Sequence, residues 1–95
     1  MKYPKEYLEE IKARLKVSTV VSKSVNLKKR GKEFVGLSPF KTEKTPSFTV
    51  NDGKGFYHCF SSSEHGNIFD FVMKTQNLKF GEAVKSLANL AGMRP

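Results

Sequence analysis

The stretch that decides the fold is Gly36-Leu37-Ser38-Pro39-Phe40-Lys41-Thr42-Glu43-Lys44-Thr45-Pro46-Ser47-Phe48, followed by Phe56-Tyr57-His58-Cys59-Phe60-Ser61-Ser62-Ser63-Glu64-His65-Gly66-Asn67. Each half carries a tight four-residue unit, Ser38 to Lys41 and Cys59 to Ser62. Between them lie two short β-prone runs, Ser47–Val50 and Gly55–Phe60, joined by Asn51-Asp52-Gly53. An Asp-Gly pair tolerates the positive φ that a hairpin turn demands. Pro46 suits the start or edge of a strand, where its missing N–H costs little. The pattern predicts a hairpin that holds two turns side by side.

Working outward, Val25, Leu27 and Lys29 alternate with Asn26, Lys28 and Arg30. Gly31 permits a turn, and 33–37 is a second strand. On the N-terminal side, Leu8, Ile11 and Leu15 recur at helical spacing behind Pro4, predicting a helix over 4–15. Ser18 is the expected N-cap of a short helix whose inward side is Val17, Val20 and Val21. On the C-terminal side, 61–66 reads as a polar loop. Asn67 caps a helix with Ile68, Phe71 and Val72 as its apolar stripe. A last helix carries Phe80, Val84, Leu87, Ala88 and Ala91 and stops at Gly92. Helices, then antiparallel strands, then helices make an α+β fold around one small sheet.

Ninety-five residues fit one domain, 1–95, with a modest core. The ending just past a helix suggests a module from the N-terminal part of a longer chain. Eight Phe and three Tyr supply much of the burial. The net charge of +8 favours polyanionic partners. Eight basic residues against three acids between Lys23 and Lys54 place most of that excess, +5, in the sheet region. One cysteine excludes an internal disulfide. No apolar run approaches the ~18–20 residues needed to span a bilayer, and no signal peptide opens the chain, so a cytoplasmic location is expected. Glycine-rich phosphate loops are absent. Acids are too sparse to hold the metal ions of a polymerase or nuclease, so the domain alone is not expected to be an enzyme.

Two knuckles flanking a hairpin are the plan of a zinc ribbon, in which each knuckle contributes two ligands. Here those positions are Ser38, Lys41, Cys59 and Ser62, and only Cys59 is a strong zinc ligand. The scaffold is kept while the metal chemistry is gone. Losing a structural zinc forfeits about 10–16 kcal/mol of apparent binding energy. Closer packing of Phe40, Phe48, Phe56, Phe60 and Phe71 is expected to offset it. Polar bonds among Ser38, Lys41, Ser62 and Glu64 are expected at the old metal position. A rebuilt site from His58, Cys59, Glu64 and His65 is disfavoured, because adjacent strand residues point to opposite faces. Cys59 itself reads as a small buried hydrophobe.

Lys28-Lys29-Arg30-Gly31, Gly36-Leu37-Ser38-Pro39-Phe40, Glu43-Lys44-Thr45-Pro46-Ser47-Phe48, Phe56-Tyr57-His58-Cys59-Phe60 and Gly66-Asn67-Ile68-Phe69-Asp70-Phe71 together resemble the N-terminal zinc-binding domain of bacterial DNA primase of the DnaG type. The resemblance runs from about Pro4 to Met93. It implies contact with single-stranded template DNA, selection of initiation sites and regulation of RNA primer synthesis, with polymerase chemistry left to a separate catalytic domain. Template-binding residues of the family match Lys28, Lys32, Lys44, Pro46 and Lys54, expected to contact phosphates. Tyr57 and His58 are added as stacking faces for unpaired bases, whereas Phe40 and Phe56 are assigned to the core. No cofactor is expected here, since the zinc ligands of the family are largely lost. The implied partners are the template strand and the primase catalytic domain, in cis or in trans. The replicative helicase is implied only through other domains, and no membrane is involved. The alternative function is a protein-interaction module docking on the catalytic domain or the replisome.

Overall fold

The computed structural model describes residues 3–42 and 44–93. Glu43 of the Glu-Lys-Thr-Pro run, the opening Met1-Lys2 and the closing Arg94-Pro95 lie outside the described residues. Helices α1 (Lys5–Arg14) and α2 (Val17–Val21) precede strands β1 (Lys28–Arg30), β2 (Glu33–Gly36), β3 (Phe48–Asn51), β4 (Phe56–Cys59) and β5 (His65–Gly66). Helices α3 (Ile68–Gln76) and α4 (Phe80–Leu90) follow. The strands form one antiparallel meander in the order β1-β2-β3-β4-β5. This is the expected α+β architecture, with helices before and after a small antiparallel sheet.

Register sorts the strand residues onto two faces, because directly opposed residues point the same way. Phe34, Val50, Tyr57 and Gly66 line up on the inner face, with Gly36, Phe48 and Cys59 one step along. Phe48, Val50, Tyr57 and Cys59 are buried there with Ile68, Phe71 and Val72 of α3 and Ala83, Val84, Leu87 and Ala88 of α4. Ile11, Leu15, Val17, Val20 and Val21 close the core from the N-terminal helices. The outer face bears Lys28, Val35, Thr49, His58 and His65 in one cross-strand row, and Arg30, Glu33, Asn51 and Phe56 in the next.

Several local expectations are corrected. The first strand begins at Lys28, not Val25; Val25 is nonetheless buried, in phase with the alternation. Residues 65–66, expected in a loop, pair with β4 as β5. Ser18 does not cap α2. It is one residue inside the helix, and the Asp52 carboxylate from the β3–β4 hairpin accepts from its backbone N–H (2.8 Å) and its hydroxyl. The hairpin's positive φ belongs to Gly55 (74°), not Gly53. Gly55 N–H closes the turn on the Asn51 carbonyl at 2.8 Å, and Lys54 N–H on the Asn51 side chain at 2.9 Å. The Asn67 cap of α3 is present and reciprocal: Asn67 Oδ1 accepts from Phe69 and Asp70 N–H, and Asp70 accepts from Asn67 N–H.

Candidate nucleic-acid interface

Four rings hold the first knuckle to the sheet. Phe40, from the 37–47 loop, meets Phe48, Tyr57 and Phe71 with centroids 5.8–6.3 Å apart. The other three contact one another at 5.5–6.1 Å. Such pairs contribute roughly 0.5–1.5 kcal/mol each beyond their area. Tyr57 is therefore a core residue at 1% exposure, which removes it as a stacking face. Its hydroxyl has no hydrogen-bond partner among the described residues, and burial, partly offset by the nearby Lys74 ammonium, raises its pKa. Phe56 and Phe60, expected inside, are 55% and 69% exposed. Strand alternation explains the exchange: Tyr57 and Cys59 take the inner face, so Phe56, His58 and Phe60 share the outer one.

Hydroxyls occupy the old metal position. The Cys59 thiol, 0% exposed, donates to Ser38 Oγ at 3.1 Å and lies 3.3 Å from Ser61 Oγ. Ser47 Oγ donates to Ser61 Oγ at 2.9 Å and lies 3.9 Å from the sulfur. Burial pushes the thiol up, but hydrogen bonds from Ser38, Ser61 and Ser62 and from the Ser62 backbone more than offset it, and the pKa falls from 9.0 to about 6. The expected participants change accordingly. Ser47 and Ser61 join, Lys41 is exposed, and Glu64 turns away to accept from Lys74 Nζ at 2.6 Å. That bond raises the Lys74 pKa. The second knuckle is closed by backbone bonds, Cys59 N–H to Glu64 O (2.7 Å) and Ser63 N–H to Cys59 O (2.8 Å).

This donor set does not fit zinc. One thiolate and neutral hydroxyls replace the two-plus-two ligand sets of structural sites. No group of three or more His, Cys, Asp or Glu among the described residues can hold a metal ion. His58 and Cys59 point to opposite faces, so the rebuilt site does not assemble.

Of the remaining residues expected to contact DNA, Lys28 and His58 lie on the outer face, and the others sit in turns and a loop at the ends of the sheet. Lys28 is exposed on β1; Lys32 lies in the β1–β2 turn and Lys54 in the β3–β4 hairpin, at the same end of the sheet. Lys44 and Pro46 are exposed in the loop before β3, at the opposite end, and line a groove with Lys28. None of these lysines makes an ion pair among the described residues; the ion pairs there are Lys12–Glu9, Arg14–Glu10 and Lys74–Glu64. His58 is half-buried, its ring 4.4 Å from that of Phe60 and stacked on that of His65 at 6.0 Å. Arg30, which alternation places on one face with Lys28, lies on this face too, and Phe56, Phe60 and His65 extend it beyond the DNA-contact residues expected from the sequence. The alternation through Phe56, His58 and Phe60 was the available signal for them.

A helix-flanked meander with two knuckles and a degenerate ligand set defines a zinc-ribbon-class domain. The CHC2 zinc finger model of the DnaG type matches residues 3–94, and the chain belongs to this family of DnaG-type DNA primase domains. It is 43% identical over 90 residues to the DNA primase of Neisseria meningitidis, 46% over 85 to that of Escherichia coli K12, and 47% over 90 to that of Pseudomonas putida. These alignments take in 90–95% of this chain but only 14–15% of each relative. Among solved structures, the Aquifex aeolicus primase with its zinc-binding and RNA polymerase domains superposes with a TM-score of 0.87 at 28% identity, over 94% of this chain and 22% of that one. No helix among the described residues is long and apolar enough to cross a membrane.

Proposed function

We propose that this domain binds an unpaired DNA template across the outer face of its sheet, without zinc, and thereby helps a primase choose where an RNA primer begins. The observation that carries the reading is that Lys28, with no ion pair among the described residues, shares an outer-face register row with His58, beside the exposed rings of Phe56 and Phe60. Phosphates take the charges and bases stack on the rings, the usual division of labour in single-strand binding. Chemistry belongs to a catalytic domain elsewhere in a longer primase, domain 1–95 acting with it in cis or in trans within the primosome. Contact with the replicative helicase is left to other domains.

Titration of a labelled single strand at several salt concentrations tests this. With about four phosphates neutralised, log affinity falls with log salt at a slope near −3. Replacing Lys28, Lys32, Lys44 and Lys54 together with Gln flattens that slope and weakens binding, while the melting temperature holds. Binding that ignores both salt and the quadruple replacement contradicts the proposal and favours the protein-docking alternative.

A further inference from the structure

A groove of about 690 Å³ runs along the β1 edge, with residues 24–30 on one side and residues 35–39, Lys44 and Pro46 on the other. Its size falls within the ~300–1,000 Å³ typical of small-ligand pockets. Lys28, Lys29, Arg30 and Lys44 line it, and no acid among the described residues does. Leu37, half exposed, stands with Pro39 and Pro46 as an apolar wall. Cations around a dry wall match a phosphate attached to a flat base. The groove exists because Gly36 has no side chain: a Cβ there would lie 2.7 Å from the Asn26 carbonyl oxygen, so only glycine lets the 24–26 segment approach β2. That approach sets Asn26 at the groove. Asn26 is exposed, and its amide makes no hydrogen bond to a described residue.

We infer that this groove receives one splayed-out nucleotide of the bound strand and that Asn26 reads its base. A carboxamide offers a donor and an acceptor side by side, the pattern that pairs bidentately with adenine N6 and N7. Lysines elsewhere on the face cannot do this, because phosphate contacts carry no sequence information. The inference rests on single-strand binding by the outer face and adds selectivity to it.

Competition among oligonucleotides tests it: dT12, dT12 with one central dA, dT12 with one central abasic site, and free dAMP. The expected order is a roughly tenfold gain for the single dA over dT12. Asn26→Ala abolishes that gain while leaving dT12 affinity and its salt slope unchanged. Leu37→Ala, also at an exposed position, reduces the same gain without lowering the melting temperature. Equal affinity for dT12 and its dA version, or a dA gain that survives Asn26→Ala, overturns base reading but leaves strand binding intact. Free dAMP binding as tightly as the dA strand overturns the assignment to a strand nucleotide. Failure of the wild-type domain to bind any of the strands overturns the underlying reading as well.

Discussion

At the scale of single residues, the telling substitution is a hydroxyl cluster where a metal would sit. Hydroxyl protons rotate, so Ser38, Ser61 and Ser62 can accept from the Cys59 thiol or donate to its thiolate. The fold lowers the thiol pKa from 9.0 to about 6, which means the native state favours the thiolate over the unfolded chain. The stability this group contributes is then complete above pH 9 and is lost as pH falls through about 6. The melting temperature is expected to rise between pH 6 and 9, and Cys59→Ser to remove most of that rise. An unchanged profile in the variant would assign the rise to other groups. From the sequence, the thiol's burial was legible but its company was not. Spacing pointed to Ser38 and Ser62; Ser47 and Ser61 enter because the hairpin brings residues 12 and 2 positions from Cys59 to the same spot.

At the scale of elements, local signals are legible in the sequence and long-range ones are not. α1, α3 and α4 announce themselves by 3.6-residue periodicity and, for α3, by the Asn67–Asp70 capping box, all information held within a few residues. α2 is only five residues long and takes its cap from Asp52, 34 positions away. Nothing near Ser18 encodes that contact. Because Asp52 also belongs to the hairpin, it ties the sheet to the N-terminal helices as well as satisfying a helix terminus. Asp52→Ala should cost about 1–2 kcal/mol, the loss of a cap, and lower the melting temperature by roughly 4–8 °C per kcal/mol for a domain this size. Asn67→Ala should cost about 1 kcal/mol through the α3 cap. If Asp52→Ala melts with the wild type, the tether between hairpin and α2 is without energetic weight. Strand faces show the same limit. Alternation separates Phe56, His58 and Phe60 from Tyr57 and Cys59, yet both sets contain aromatics, and only the docking of α3 over Tyr57 decides which set is buried.

For the molecule as a whole, the fold places its two kinds of aromatic on opposite sides of one sheet. Inside, Phe40, Phe48, Tyr57 and Phe71 pack the first knuckle onto the sheet, and Ser38, Ser47 and Ser61 meet the Cys59 thiol of the second. Outside, Lys28 shares a register row with His58, beside the exposed rings of Phe56 and Phe60. The family and the degenerate ligand positions were visible in the sequence. The separation of inner packing from outer face was not, because it depends on how helices from both ends of the chain cover one surface. The most direct measurement is single-strand DNA titration of domain prepared and assayed in excess chelator, with its metal content determined. The account predicts a folded, metal-free protein whose binding weakens with salt at a slope near −3. A domain that unfolds in chelator, or binds the strand only after stoichiometric zinc is restored, would contradict it.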